Sequence, residues 1–166
     1  MKDAYCSHCG AAQVATAYPR KCPACGIEAW DNPLPVVVCV QPVRDVDTGT
    51  GIMIAQRAIP PKLGEWALLG GHMENNGESI EEAAQREFFE ETGLELGANP
   101  QIARSYANGR GHVLIAVEAE PITIAHFNAA RLCAENSAFD ILRSMSQIEL
   151  GFPIHQMIAK RWFDAR

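Results

Sequence analysis

Along the chain the spacing of hydrophobic and polar positions changes several times, and each change marks an element. Val36 to Val40 reads VVVCV, an almost continuous β-branched run that predicts a buried strand over 36–40. Residues 45–51 are polar with two glycines, a turn signal, so 52–56 is expected to return as the second strand of a hairpin. A short strand over 66–69 then runs into Gly70-Gly71. Residues 79–92 contain no Gly or Pro and are rich in Glu, Ala, Gln and Phe, which predicts a helix. Ser79 with Glu82 three residues on has the capping-box pattern, and Gly93 is placed as the stop. Strands are expected over 102–106 and 112–119, about an Asn108-Gly109-Arg110-Gly111 turn, and again over 138–143. Residues 121–136 fit neither period. Residues 153–163 predict a second helix with Ile154, Met157, Ile158 and Trp162 on one apolar side. Strands, helix, strands, helix imply an α/β or α+β sandwich with a mixed sheet.

On the 79–92 helix Glu87, Glu90 and Glu91 stand at i, i+3 and i+4 and share one face. Three carboxylates so close repel one another unless something positive sits over them. Hard divalent ions suit that role, because Mg²⁺ and Mn²⁺ prefer carboxylate oxygen and often share it with substrate phosphates. The ordinary alternative is a solvated acidic face. Against it stand Arg86 beside the cluster, an apolar side made by Ala84, Phe88 and Phe89, and the Gly-Gly turn in front.

The amino-terminal segment has its own chemistry. Cys6-x-x-Cys9 and Cys22-x-x-Cys25 are separated by twelve residues, with Gly10 and Gly26 following each pair. Paired knuckles at this spacing predict a structural Cys₄ zinc site. Two disulfides, or a redox CxxC, are the competing readings, and nothing in the sequence indicates an oxidising compartment. So short a segment needs the metal to hold it together. Trp30 to Pro35 reads as a proline-punctuated linker, giving a zinc ribbon over 1–30 and a main domain over 34–166.

Composition narrows the partners. With 20 acidic against 14 basic residues the chain carries −6, so duplex nucleic acid has no basic footprint here, which disfavours it without excluding it. No run approaches the ~18 apolar residues of a membrane span, and MKDAYCSHCG lacks the apolar core of a signal peptide. A cytoplasmic protein is the expectation, with no membrane partner.

From Glu78 the sequence resembles the Nudix box. Glu78, seven residues, then Arg86-Glu87-Phe88-Phe89-Glu90-Glu91-Thr92-Gly93-Leu94 agrees with its second part at every specified position. One departure lies upstream: six residues, not five, separate Gly71 from Glu78, and a Gly/Asn loop can absorb the extra one. The order of ribbon, linker, hairpin, box and IELGFPIHQ is similar to the zinc-ribbon branch of that superfamily, which includes NADH, ADP-ribose and FAD pyrophosphatases. The resemblance spans roughly residues 5 to 163. It implies an α/β/α sandwich with a mixed sheet.

What the resemblance implies for function is metal-dependent hydrolysis of the pyrophosphate bond in a nucleoside diphosphate linked to another moiety. Mg²⁺ or Mn²⁺ would be held by Glu87, Glu90 and Glu91, with the Gly71 carbonyl and a supporting Glu78, while Arg86 keeps the carboxylates in register. A further carboxylate, general base or extra ligand, is expected from a later loop. Glu135 is the candidate, with Glu118 and Glu120 competing and a solvated surface Glu as the plain alternative. Arg57 is a candidate phosphate contact, or simply an exposed strand-end arginine. Trp66 reads as core packing before base stacking. His72, His112, His126 and His155 have no metal spacing, and Cys39 and Cys133 read as inert thiols.

Residues 95–117 hold nothing like the SQPWPFP-type array of NADH pyrophosphatases, which counts against NADH. ADP-ribose, FAD or another dinucleotide-like diphosphate stays open. A 5′-end or cap hydrolase using the ribbon to hold RNA is one alternative, and a non-catalytic nucleotide-binding module is another. The ribbon leaves room for a role in stability, as a substrate lid or at a homodimer interface.

Overall fold

In the computed structural model residues 4–13 and 17–166 are described; residues 1–3, part of the leader reading, and 14–16, between the two knuckles, lie outside them. Two compact units result, Met1–Pro33 and Leu34–Arg166. In the first, β1 (Arg20–Lys21) and β2 (Glu28–Ala29) pair antiparallel. The two knuckles repeat one another bond for bond. The Gly10 and Gly26 N–H groups donate to the Cys6 and Cys22 carbonyls, each at 2.9 Å, and the Cys6 and Cys22 N–H groups donate to Ala11 and Ile27, each at 2.8 Å. Gly10 and Gly26 take φ of 74° and 76°, the left-handed conformation that only glycine adopts freely.

In the second unit the VVVCV run extends to β3 (Leu34–Val40) and continues past Gln41 as β4 (Pro42–Asp45). The returning strand, β5 (Gly49–Arg57), is longer than the 52–56 expected. Of the 66–69 stretch, Trp66–Ala67 forms β6. After α1 (Ile80–Thr92) come β7 (Gln101–Ala107) and β8 (His112–Glu118). The segment with no clear period holds β9 (Ile122–Thr123) and the single turn α2 (Ile124–Phe127). Strand β10 (Asn136–Leu142) begins two residues earlier than expected, and α3 (Pro153–Asp164) closes the chain.

Gln41 is where one continuous run of chain changes sheets. Strand β3 pairs parallel with β8, which pairs antiparallel with β7, while β4 belongs to the other sheet, ordered β10-β5-β4-β9 with β6 on β5. The Gln41 side chain, fully buried, donates to the Pro42 and Glu120 carbonyls and accepts the Gly97 N–H. A buried amide without such partners would cost several kcal/mol, on the order of 2–7.

Strand alternation builds the layers. Val37, Cys39, Met53, Ala55, Val117 and Ile141 pack with Ala83, Ala84 and Phe88 of α1 in one core. Their neighbours Val38, Val40, Ile52, Ile54, Ala116 and Leu142 pack with Ile158, Ala159 and Trp162 of α3 in the other. The fold is an α/β/α sandwich with mixed sheets. Of the apolar side expected for α3, Met157 is instead 55% exposed, and His155 faces inward in its place, accepting the Leu68 N–H at Nδ1. Trp66 packs half-buried against the second core.

Candidate active site

Helix α1 is held at both ends. The Ser79 hydroxyl accepts the Glu82 N–H at 3.1 Å, and the Glu82 carboxylate accepts the Ser79 N–H at 2.7 Å. Gly93 closes the other end at φ 69°. Burying Ala83, Ala84 and Phe88 turns the carboxylate face toward the Gly70-Gly71 turn.

The three carboxylates meet different surroundings there. Glu90 is exposed. Glu87 is half-buried, and burial raises its pKa against the opposing pull of Arg86, with Glu90 and Glu135 adding to the rise. Glu91 is buried, which lifts its pKa to about 7; hydrogen bonds from Asn136 and Gly70 oppose the rise, while Glu87 and Glu135 add to it. The Gly70 N–H reaches Glu91 Oε1 at 3.0 Å and Asn136 Nδ2 reaches Oε2 at 3.0 Å.

Arg86 ties the cluster together. Its Nε and one terminal nitrogen grip Glu78 with two bonds of 3.0 Å, and its other terminal nitrogen donates to Glu87 at 2.9 Å and Glu90 at 3.3 Å. It also donates to the His72 carbonyl at 3.0 Å. This grip, with the Glu74 N–H, holds Glu78 below the usual carboxylate range. The extra box residue is taken up outside the carboxylate face. The Asn76 side chain accepts from the Glu78 N–H and donates to Glu74, and the Glu74 N–H donates to Glu78.

Gly71 lies against Glu87, and its carbonyl accepts the Val37 N–H at 2.8 Å. Glu135 is exposed just ahead of β10, near enough to raise both Glu87 and Glu91. Its two competitors are engaged elsewhere, Glu118 with Trp162 and Arg166, Glu120 with Asn99. Arg57 turns onto its own loop, donating to the Pro61 and Pro60 carbonyls, with its guanidinium 5.5 Å from the centre of the Phe152 ring. Cys39 is buried and donates to the Ala84 carbonyl.

Asn136 escaped the sequence reading. It sits at the end of the stretch with no clear period, and only the register of β10 on β5, pairing Asn136 with Arg57, brings it to Glu91.

The oxygen-only donor set of the α1 face fits a hard divalent cation, and burial of Glu87 and Glu91 beside Glu135 leaves negative charge that such a cation would offset. The Cys₄ site fits zinc. Its sulfurs all lie within 4.8 Å of one another, the one such group of three or more His, Cys, Asp or Glu among the described residues. Cys6 and Cys25 sulfurs are 3.8 Å apart and those of Cys9 and Cys22 3.7 Å. Tetrahedral Zn–S bonds of about 2.3 Å place sulfurs about 3.8 Å apart. Backbone N–H groups in the knuckles lower the Cys6 and Cys22 thiols, Cys22 to about 6. Cys25, although the Ile27 N–H pulls it down, is pushed up to about 12 by desolvation and the three sulfurs around it. Four thiolates need a cation among them.

Residues 33–125 match the model of the NUDIX domain. A search among curated proteins finds no match. Among solved structures, a NUDIX hydrolase from Nitrosomonas europaea is similar at 23% identity, with 98% of this chain and 91% of that one covered and a TM-score of 0.67. The NUDIX domain of Shewanella oneidensis NrtR, solved with ADP ribose, gives 20% identity, 80% and 88% coverage and a TM-score of 0.67. A MutT NUDIX hydrolase from Burkholderia pseudomallei gives 20%, 78%, 97% and 0.59. With more than half of its length matched by the family model and Glu87, Glu90 and Glu91 gathered on one capped helix, this chain belongs to the NUDIX family.

Proposed function

We propose that the chain hydrolyses the pyrophosphate bond of a nucleoside diphosphate linked to a second moiety, releasing a nucleoside monophosphate. The observation that carries this reading is the set of Glu87 and Glu90, tied by Arg86, and Glu91, tied by the Gly70 N–H and Asn136, gathered against the Gly70-Gly71 turn. Mg²⁺ or Mn²⁺ bound there supplies charge neutralisation for the diphosphate and acidifies a water. Glu87, Glu90 and Glu91 are the holding carboxylates, with the Gly71 carbonyl beside them and Glu78 supporting through Arg86. Arg86 sets the spacing between Glu87 and Glu90.

Glu135, solvent-exposed and close to both buried carboxylates, takes the proton of the attacking water as its oxygen bonds one phosphorus and the bridging P–O bond breaks. Arg57 is a phosphate contact in this reading only if substrate draws it off the Pro60 and Pro61 carbonyls. The four cysteines hold a structural zinc, closed to chemistry.

ADP-ribose heads the substrates to test, since the NUDIX domain of NrtR was solved with it and the two folds are alike. No helix among the described residues is long and apolar enough to cross a membrane, and an aqueous, cytoplasmic nucleotide pool suits the reading. The test offers ADP-ribose, NADH, NAD⁺, FAD, nucleoside triphosphates and capped RNA with Mg²⁺ or Mn²⁺, comparing wild type with Glu90→Gln. Release of a nucleoside monophosphate from one of them, lost by orders of magnitude in the variant, sustains the proposal. No cleavage of any by metal-loaded wild type rejects it in favour of a binding module.

A further inference from the structure

We propose that Asn136 is a positioning residue that acts through Glu91; this rests on the reading above, in which Glu91 holds the divalent ion. Glu91 is 9% exposed and Asn136 5% exposed, so each needs its partners from the protein. One donor pins each oxygen of Glu91, and the two come from different elements. The Gly70 N–H belongs to the turn after β6, and the Asn136 amide to the first residue of β10. Two donors on opposite oxygens fix the carboxylate plane as a single bond would not.

The backbone is shaped to make this contact. Asn136 pairs with Arg57 and Ala138 with Gln56, so β10 bulges between them by one residue. The extra residue, Ser137, is tied by its hydroxyl to the Gln56 backbone and side-chain oxygens. A bulge of this kind re-aims the neighbouring side chain, and here it turns Asn136 onto Glu91.

The residue type matters as much as its place. An amide donates to Glu91 without adding a charge. An aspartate would put a fourth carboxylate beside Glu87, Glu91 and Glu135. A lysine or arginine would pair with Glu91 permanently and compete with a divalent ion. Asn136 therefore holds the carboxylate and leaves its charge available.

Partners that orient a metal-holding side chain typically change metal affinity or activity by about 10–100-fold when removed. The test is a double-mutant cycle read by Mn²⁺ binding, using the electron paramagnetic resonance signal of free Mn²⁺. It compares wild type, Asn136→Leu, Glu91→Gln and the double variant, with near-ultraviolet circular dichroism to show that each is folded. We expect Asn136→Leu to weaken Mn²⁺ binding about ten-fold or more in the wild-type background, and to have almost no further effect once Glu91 is Gln. If Asn136→Leu does not fold, Asn136→Ser takes its place in the same cycle. Equal losses in both backgrounds, or wild-type affinity in the variant, would overturn the proposal, as would a wild type that binds no Mn²⁺. Hydrolysis measured in parallel separates the two ideas. Coupling without cleavage of any substrate overturns the hydrolase reading alone, and cleavage with additive losses overturns the role of Asn136 alone.

Discussion

Gly71 has no side chain at the place where the Glu87 carboxylate rests: a Cβ there would lie 2.3 Å from Glu87 Oε2. The neighbouring Gly70 is tight for a different reason. Its φ is 135°, and a Cβ would lie 2.1 Å from the backbone oxygen of Val37. Two adjacent glycines thus protect two different things, the place of the Glu87 carboxylate and the packing of a strand.

Their alanine variants are expected to separate accordingly. Gly71→Ala pushes a side chain that can move, so we expect a fold close to wild type in Tm. Because misplacing a reacting group by about 1 Å can cost about 10²-fold, its kcat/KM is expected to drop by that order. Gly70→Ala meets backbone that cannot move and a conformation alanine resists. It is expected to lower Tm sharply. Thermal unfolding and steady-state kinetics on both variants check the division.

His155 gives a pH dependence with a definite sign. Its burial among α3 and the sheets, with Arg57 nearby, lowers its pKa from 6.5 to about 4. Between those values the unfolded chain binds a proton that the folded chain does not. Stability from this group is therefore intact above pH 6.5 and is lost as pH falls toward 4. The full difference is about 3 kcal/mol. His155→Asn keeps an acceptor near the Leu68 N–H and does not titrate. Urea unfolding at pH 7 and pH 4.5 is expected to show a larger acid loss in wild type than in the variant.

The Cys₄ site leads to a third expectation. Purified protein is expected to carry about one zinc per chain, since four sulfurs at this spacing complete one tetrahedral site. Stripping it with a strong chelator, or replacing Cys22 by Ser, is expected to unfold the Met1–Pro33 unit, whose few short strands offer little core. The Leu34–Arg166 unit has its own two apolar cores and is expected to keep its cooperative transition. Zinc analysis with proteolysis of the chelated protein reads both halves of this outcome.

How much of this was legible in the sequence depends on how local the signal is. The α1 helix was readable end to end, because Ser79, Glu82 and Gly93 act through bonds within a few residues. The buried strand over 36–40 was readable because a continuous β-branched run reports burial. Met157 misled for the same reason: an apolar residue at helical spacing looked like core, while His155 filled the inward position by accepting a strand N–H. Asn136 carried no local mark at all. Its role depends on strand register and a bulge between residues some 80 apart in the chain, and neither periodicity nor composition encodes register. Arg57 looked free to meet phosphate, but the Pro60-Pro61 turn that follows it folds its carbonyls back onto the guanidinium.

The general base is the last point that experiment can decide. Three carboxylates after the box competed for the role, and the structure separates their surroundings. Glu118 is held by Trp162 and Arg166, Glu120 by Asn99, while the Glu135 carboxylate lies within the electrostatic reach of Glu87 and Glu91. Its backbone is fixed at that position and at the next residue. The Glu135 carbonyl accepts the Ala58 N–H at 2.7 Å, and Asn136 is anchored on Glu91. Glu135→Gln keeps the size and removes the proton acceptor. Loss of a general base typically costs about 10²–10⁴-fold, so we expect kcat to fall in that range with KM changed little. Glu118→Gln and Glu120→Gln are expected to stay within a few-fold of wild type. If Glu118→Gln or Glu120→Gln shows the large loss and Glu135→Gln does not, Glu135 is not the proton acceptor and the proposed mechanism is wrong at that step.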